Sequence, residues 1–184
     1  IREENSRMLS QVENVLRISQ LERTNETIQR LPLDLHEIIQ DAIHHTDLIF
    51  KNKSGKLQTQ FKAPNSVVYG NKSHMTSVVV NLLDNAIKYC EIVPSVIIET
   101  LNEDNNFILK VIDNGIGMTP SVQKKIFDKF YRATSGNIHT TKGHGLGLAY
   151  VKRIVDLHKG QINLESKEKV GTKFILTLPI YKLI

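Results

Sequence analysis

Residues 81–89 carry polar side chains at helical spacing, of types that bind a phosphorylated ligand. Asn81 and Asn85 are four residues apart, and Lys88 and Tyr89 follow Asn85 by three and four residues, so all four side chains can converge on one ligand. An amide oxygen on Asn85 suits a hard cation such as Mg²⁺, and the ammonium of Lys88 suits phosphate. The segment predicts a binding site on a helix, although an amphipathic helix with a hydrated face would carry the same pattern.

Two glycine-rich segments further along the chain favour a nucleotide site. Asp113-Asn114-Gly115-Ile116-Gly117-Met118 follows an apolar run, which indicates a strand that opens into a tight loop. Gly143-His144-Gly145-Leu146-Gly147-Leu148 precedes a helical pattern at 149–155. A glycine loop before a helix exposes free backbone N–H groups and the positive end of the helix dipole, which together bind phosphate. Either loop alone is common, but the two in this order are specific.

With these motifs the chain resembles the ATP-binding catalytic domain of sensor histidine kinases, in the superfamily of gyrase, the Hsp90 chaperones and MutL. The resemblance covers about residues 33–179, and no Walker-type phosphate-binding string is present. It implies that ATP and Mg²⁺ are bound and that the activity is that of a protein histidine kinase. The matching segments are the N box at 81–89, the G1 box at 113–117, the F box at Phe127 and Phe130, the G2 box at 143–148, and a last pocket strand at 171–174.

The resemblance also implies how the adenine base is bound. Asp113 is expected to accept a hydrogen bond from the adenine amino group, which selects against guanine because guanine has a carbonyl there. Gly115 and Gly117 would admit the edge of the base, with Ile116 and Met118 packed on it. Thr172 is expected to reach adenine directly or through water.

At the phosphate end, the resemblance implies that Asn85 coordinates Mg²⁺, while Lys88 and Arg132 neutralise charge and the 143–148 loop donates backbone hydrogen bonds. Tyr89 would lie near the sugar and phosphates, with a buried structural tyrosine as the alternative. We expect Asn81, Lys88 and Arg132 to act in catalysis. The full set expected to bind nucleotide is Asn81, Asn85, Lys88, Tyr89, Asp113, Gly115, Ile116, Gly117, Met118, Tyr131, Arg132, Lys142, Gly143, His144, Gly145, Leu146, Gly147, Leu148 and Thr172.

The polar segment between Phe130 and Gly143 contains few apolar residues and predicts a mobile flap beside the nucleotide. A plain surface loop is the alternative. Tyr131 and Arg132 lie at its root, where the family keeps a basic residue facing the phosphates, and Lys142 could do the same from the other side.

Residues 1–30 differ in character from the rest of the chain. Apolar residues recur there at helical spacing among Arg, Glu, Asn and Gln, which predicts a long amphipathic helix that needs a partner. In the family this helix resembles the second helix of the dimerisation and phosphoacceptor hairpin, which forms a four-helix bundle in a homodimer. A helix folded back on its own domain is the alternative. We expect residues 31–184 to form the catalytic domain, and a response regulator receiver domain to take the phosphoryl group from the hairpin.

The family's acceptor histidine lies on the first hairpin helix, and no histidine precedes His36 in this sequence. We therefore expect the chain not to phosphorylate itself. Asp34 and Glu37 are spaced as a capping box, which places His36 at the start of a helix rather than at an acceptor position. We also expect the chain to be part of a longer protein, since no methionine precedes Met8.

Composition argues against several other classes. The net charge is +5, but Lys and Arg are spread along the chain without an arginine-rich run, so we expect no nucleic-acid binding. Cys90 is the only cysteine, which excludes an intrachain disulfide, and we expect it to be a small packed residue. No run approaches the roughly 18 apolar residues of a membrane span. We expect no membrane contact by this chain and a cytoplasmic location, whether or not the parent sensor is membrane-anchored.

The remaining pattern predicts an α/β (α+β) two-layer sandwich, with one mixed sheet covered by helices on one face. Turns are expected at 53–55 and 102–106. The predicted helices are 35–52, one capped by Asn71 or Ser73 that runs through Tyr89, 121–127, and one after residue 148. The predicted strands are 27–33, 56–61, 67–69, 94–101, 107–113, 161–165 and 172–178.

Three functions remain open on the sequence. Hydrolytic relatives such as gyrase and Hsp90 carry a Glu four residues before the magnesium Asn, and this position is Asn81 here. An amide cannot act as a general base at neutral pH, which favours a histidine kinase over an ATPase clamp. Asp84 is the one nearby carboxylate that could serve instead. A degenerate module that binds nucleotide or partners without turnover is the third possibility.

Overall fold

The computed structural model describes residues 29–132 and 145–182. This part of the chain contains seven strands and four helices. In chain order they are β1 (Leu31–Asp34), α1 (Leu35–Asn52), β2 (Lys56–Phe61), β3 (Val67–Gly70), α2 (Lys72–Lys88), β4 (Ser95–Glu103), β5 (Asn106–Asp113), α3 (Pro120–Gln123), α4 (Gly147–Leu157), β6 (Gln161–Lys167) and β7 (Gly171–Pro179).

A five-stranded sheet in the order β2-β4-β5-β7-β6 forms one layer. Strands β2 and β4 are parallel and the other neighbours are antiparallel. Alternate residues of β4, β5 and β7 are buried in the same core as the helices, as expected where one face of a sheet is covered. The predicted fold class, a mixed sheet with helices on one face, is confirmed.

Helices α1 and α2 begin where the sequence supplies a polar cap. The side chain of Asp34 accepts a hydrogen bond from the His36 backbone N–H at 2.8 Å, and Asn71 accepts one from His74 N–H at 3.1 Å. These bonds satisfy donors that have no partner within the first turn. The predicted span 35–52 of α1 is confirmed, and Asn71 rather than Ser73 is the cap of α2.

The structure corrects several predicted boundaries. The first strand is Leu31–Asp34 rather than 27–33, and it pairs with β3 in a separate two-stranded sheet that sequence periodicity did not reveal. The predicted 102–106 turn contracts to Asp104 and Asn105, whose φ values of 47° and 63° match the twist of a tight hairpin. The helix predicted at 121–127 is a single turn, Pro120–Gln123. The predicted helix at 1–30 and the predicted flap between Phe130 and Gly143 lie outside the described residues, apart from positions 29, 30, 131 and 132.

Buried His158 joins the end of α4 to the start of α2. Its Nδ1 lies 2.7 Å from the Ile154 carbonyl oxygen, and its Nε2 accepts a hydrogen bond from the Asn71 backbone N–H at 3.1 Å. This pattern requires the neutral ring with its proton on Nδ1. Burial lowers the pKa of His158, and the positive charge of Arg30 and nearby His74 lower it further, although the bond to Ile154 opposes the shift.

We expect the free energy of unfolding to fall as the pH drops below about 6.5, because the unfolded chain then binds a proton that folded His158 resists. Burial also lowers the pKa of His36, which contributes in the same direction. His158→Gln should lower the free energy of unfolding by about 1 kcal/mol at pH 7.5, which is the contribution of a typical hydrogen bond. It should also make the free energy of unfolding less dependent on pH. Denaturant titrations at pH 7.5, 6.5 and 5.5 measure both effects. The exposed His44→Gln is the control, and an unchanged pH dependence in His158→Gln would contradict the expectation.

Candidate nucleotide site

Helix α2 carries the predicted phosphate-binding residues on the face opposite to its packed side. Its buried residues are Met75, Val78, Val79, Leu82, Leu83, Ala86 and Ile87. Asn81, Asn85 and Lys88 lie on the other arc and are half-buried. Because helical residues three and four apart share a face, burial of one arc aligns the three polar side chains along the site.

The side chain of Asn81 packs helix α2 against the first turn of α4. Its Nδ2 donates a hydrogen bond to the Ser77 carbonyl at 2.8 Å. A Cβ on Gly147 would lie 2.8 Å from Asn81 Oδ1, so a larger residue there would require the Asn81 side chain to shift. Asn81 therefore contributes to the geometry of the phosphate end, and its predicted catalytic role stays a prediction.

Asn85 is the best placed oxygen donor on this face. It is half-buried, and its side-chain amide forms no hydrogen bond within the part of the chain that the structure describes. Lys88 Nζ lies 4.8 Å from the centroid of the Tyr89 ring. This cation–π contact keeps the two side chains together, and both were predicted to bind the nucleotide. Tyr89 is 37% exposed, which rules out the buried structural alternative.

Asp84 lies on the edge of the same face and is exposed on its outer side. Burial of the remaining surface raises the pKa of its carboxyl, and the nearby ammonium of Lys88 lowers it in part. Asp84 thus stands beside the site rather than at its centre.

Asp113 is the last residue of strand β5 and lies where the sequence predicts contact with the adenine base. Its Oδ1 accepts hydrogen bonds from the backbone N–H groups of Gly115 at 2.8 Å and Thr172 at 3.2 Å. Burial raises the pKa of Asp113, and these two hydrogen bonds oppose the shift. With Oδ1 occupied, Oδ2 remains as the acceptor for a ligand, as the predicted adenine contact requires.

Backbone contacts fix the loop that follows Asp113. Ile116 N–H donates to the Tyr89 carbonyl at 2.9 Å, and Lys169 N–H donates to the Ile116 carbonyl at 2.7 Å. Gly117 has φ of +66°, and a Cβ on it would overlap the Lys167 carbonyl, so no other residue fits without rearrangement. The loop is held between the end of α2 and the β6–β7 turn, with Met118 packed against the core.

Thr172 is buried beside Asp113, at the position predicted for the last pocket strand. Its hydroxyl lies 3.0 Å from Ser166 Oγ, which also donates to the Gly171 carbonyl. Thr172 therefore uses its backbone N–H to hold Asp113, and its hydroxyl to hold β6. Contact with a base, directly or through water, stays a prediction.

The segment after the predicted F box meets the start of α4. Phe130 N–H donates to the Gly145 carbonyl at 3.0 Å, and a Cβ on Gly145 would lie 2.6 Å from the Tyr131 carbonyl. Tyr131 is half-buried, while Arg132 is exposed. Phe127 packs against the core, whereas Phe130 is 64% exposed, so only one of the two F-box residues contributes to packing.

The start of α4 suits an anion. Leu146 occupies the cap position, and no side chain among the described residues caps the helix. Its first N–H groups, from Gly147 and Leu148 onward, have no partner within the helix and carry the positive end of the dipole. Lys142, Gly143 and His144, which were predicted to line the same end, lie outside the described residues.

The described residues thus form two ends of one site. The base end is built from 113–118 and Thr172, and the phosphate end from α2 and the start of α4. No group of three or more His, Cys, Asp or Glu side chains suited to a metal is present in 29–132 and 145–182. Sequence reasoning missed Asn114, Gln123 and the 167–170 turn, which hold the base loop. The Asn-Gly pair at 114–115 was the one local signal, because that pair is typical of turns.

Comparison with known proteins agrees with this geometry. A family profile described as "Histidine kinase-, DNA gyrase B-, and HSP90-like ATPase" matches residues 70–182. The chain belongs to this family. The match begins at the end of β3 and includes α2, both glycine loops and the β6–β7 hairpin. It therefore covers all the elements that form the candidate site.

The relatives and structural neighbours include sensor proteins and proteins named as histidine kinases. The sensor protein RprX of Bacteroides fragilis (strain YCH46) is 42% identical over 184 residues, which cover 99% of this chain and 36% of RprX. A full-length ShkA structure in complex with AMPPNP has a TM-score of 0.86 at 22% identity, over 99% of this chain and 38% of ShkA. The histidine kinase ThkA in complex with response regulator protein TrrA has a TM-score of 0.76 at 19% identity, over 96% and 49% of the two chains.

These comparisons show a histidine-kinase type of ATP-binding domain. The chain spans about a third of the length of the curated relatives it matches, with 36% for RprX and 28% for the drug sensory protein A of Synechocystis. Among the described residues, no helix is long and apolar enough to cross a membrane.

We expect Asp113→Asn to weaken ATP binding by roughly 2–4 kcal/mol, because a buried polar contact would be mispaired. An asparagine can keep its oxygen on the N–H groups of Gly115 and Thr172, which turns its NH₂ toward the position of the ligand. Two donors would then face each other at the adenine amino group. Calorimetric titration measures the loss, with Asp104→Asn in the exposed β4–β5 turn as the control. Equal affinity of the parent for GTP would show that this acceptor does not select the base.

Proposed function

We propose that this chain is the catalytic domain of a sensor histidine kinase, which transfers the γ-phosphoryl group of ATP to a histidine on the dimerisation hairpin of its parent protein. The observation that supports it most is the opposition of two features across one site. At one end lies the half-buried carboxylate of Asp113, whose Oδ2 accepts no hydrogen bond from the described residues. At the other end the start of α4, which no described side chain caps, contacts Asn81 on the helix face that also carries Asn85 and Lys88. A nucleotide needs both, and a simple phosphate site needs only the second.

The phosphate end fits a magnesium–nucleotide complex. Asn85 offers an amide oxygen for which no other described residue competes by a hydrogen bond. Mg²⁺ is commonly held by one or two protein oxygens together with phosphate oxygens and waters. When bound there, Mg²⁺ would neutralise charge that develops on the transferring group. Lys88 and Arg132 neutralise the remaining charge, and the first N–H groups of α4 orient the phosphates. Tyr131 and the 142–148 segment complete this set in our proposal.

The proposed partners follow from the missing acceptor. No histidine of the described residues lies at the phosphate end, since His158 and His74 are at the opposite end of α2. The acceptor must come from the hairpin, to which residues 1–30 would contribute the second helix, in a homodimer. A response regulator receiver domain would then accept the phosphoryl group, as a partner of the type bound to ThkA. Because ATP and receiver domains are cytoplasmic, we infer that the domain acts in the cytoplasm.

The test is phosphoryl transfer from radiolabelled ATP. We expect the chain alone to remain unlabelled, and to label an added hairpin domain from its parent protein at the acceptor histidine. Asn85→Ala should abolish both magnesium-dependent ATP binding and transfer while leaving the fold intact, because it removes the protein oxygen nearest the metal. Asn52→Ala, at the exposed end of α1, is the matched control. Acid-labile phosphate on the isolated chain, or transfer by Asn85→Ala at the parental rate, would contradict the proposal.

An ATPase clamp is the alternative from the same family, and Asn81 argues against it. General-base catalysis typically increases the rate of water attack by about 10²–10⁴-fold, and the amide of Asn81 cannot act as such a base. We expect negligible steady-state ATP hydrolysis by the chain, and at most a modest gain in Asn81→Glu. A coupled assay for ADP release measures this. Robust hydrolysis by the parent that is lost in Asp84→Asn would favour the ATPase instead.

A further inference from the structure

Asn114 is the residue of the base loop whose side chain points away from the ligand end and into the protein. Its Oδ1 accepts a hydrogen bond from the Ser95 backbone N–H at 2.7 Å, and its Nδ2 donates one to the Val93 carbonyl at 3.0 Å. The Cys90 thiol lies 3.5 Å from the same Oδ1, but its shorter contact is to the Ile92 carbonyl oxygen at 3.3 Å. The Asn114 amide thus binds two points of the segment between α2 and β4, and the thiol packs beside them.

The residue type at position 114 is dictated by this set of bonds. The Ser95 N–H requires an acceptor and the Val93 carbonyl requires a donor, so a side-chain amide satisfies both where a carboxylate or an alkyl group does not. A carboxylate would place a second oxygen against the Val93 carbonyl, and an alanine would leave the polar groups of the segment without partners. Val93 and Ser95 are exposed, so water can replace part of what is lost, and the main effect of an alanine is that the segment is no longer tied to the base loop.

The segment held by Asn114 also holds the base loop from the other side. Ile116 N–H donates to the Tyr89 carbonyl at 2.9 Å, and a Cβ on Gly115 would lie 2.7 Å from the same carbonyl oxygen. The loop and the end of α2 are therefore in direct backbone contact, with no space for a side chain at Gly115. Any change in the position of residues 90–95 relative to Asp113 is passed to the loop that must admit the base.

We propose that Asn114 is a positioning residue for the nucleotide base: it fixes the 90–95 segment against the 113–118 loop, and so sets the affinity for the base without touching it. The inference rests on the proposed function of the site as an ATP site. Asn114 belongs to the base end alone. The phosphate end depends on α2 and α4 through the contact of Asn81 with Gly147, which is independent of Asn114.

Separate probes for the two ends test this division. Binding of ADP depends on both the base end and the phosphate end, whereas binding of magnesium tripolyphosphate depends on the phosphate end alone. We expect Asn114→Ala to weaken ADP binding about tenfold by calorimetry and to leave tripolyphosphate binding unchanged. Asn114→Asp, which keeps the acceptor and loses the donor, should fall between Ala and the parent. Asn163→Ala on the exposed side of β6 is the control for loss of an amide.

The thiol of Cys90 supplies a readout that does not depend on ligand. It is the only cysteine of the chain and is 8% exposed. We expect a thiol reagent such as DTNB to react several-fold faster with Asn114→Ala than with the parent or with Asn163→Ala, because the 90–95 segment is released. Both measurements are made well below the unfolding temperature of every variant, and Asn114→Asp decides the matter if the alanine variant is unfolded.

The results separate this inference from the proposed function. A parent that binds neither ADP nor ATP overturns the ATP site itself. A parent that binds ADP, with an Asn114 variant that binds it equally well, overturns the positioning role alone. Parallel losses for ADP and tripolyphosphate would show a general loss of structure, and would also overturn it.

Discussion

The hydrogen-bonded, half-buried carboxylate of Asp113 is the interaction on which the geometry of the site depends. A charged or polar group is buried at low cost only when hydrogen bonds replace water, and Oδ1 receives two from the backbone. One donor belongs to the loop that follows β5, and the other to the neighbouring strand β7. The carboxylate thus joins two strands and a loop, and among the described residues its second oxygen accepts no hydrogen bond. The same group stabilises the fold locally and offers the acceptor that the proposed adenine contact requires.

Close backbone approaches complete this end of the domain. Gly117 and Gly171 both lie where a side chain would overlap a carbonyl of another segment, and both have positive φ. Lys169 N–H and Gln123 Nε2 then bind the loop carbonyls of Ile116 and Met118 at 2.7 and 2.9 Å. Because these contacts come from β6, β7 and α3 at once, the base loop has few independent movements. A pocket of this kind is organised before the ligand arrives, which limits the entropy lost on binding.

The elements of the fold were largely predictable, and their cross-connections were not. Alternation of apolar residues and the caps at Asp34 and Asn71 are local signals, so the long helices and the sheet strands could be read from the sequence. The pairing of β1 with β3 depends on residues more than thirty positions apart and leaves no periodic trace. For the same reason the spacing of motifs predicted Asp113 as a site residue but gave no sign of the partners of Asn114.

The orientation of Asn81 shows what composition alone could not establish about the chemistry. The residue type alone shows that Asn81 is not a base, because an amide does not accept a proton at neutral pH. In the structure the Nδ2 group is also turned back along α2 to the Ser77 carbonyl, and Oδ1 lies against Gly147. A glutamate has no N–H group to donate to the Ser77 carbonyl, so it would lose this contact, and its extra methylene group would change the packing against Gly147. A base at position 81 would therefore alter this packing of α2 on α4. In the proposed function, water near the phosphates is therefore not activated, and transfer depends on an acceptor histidine supplied from elsewhere.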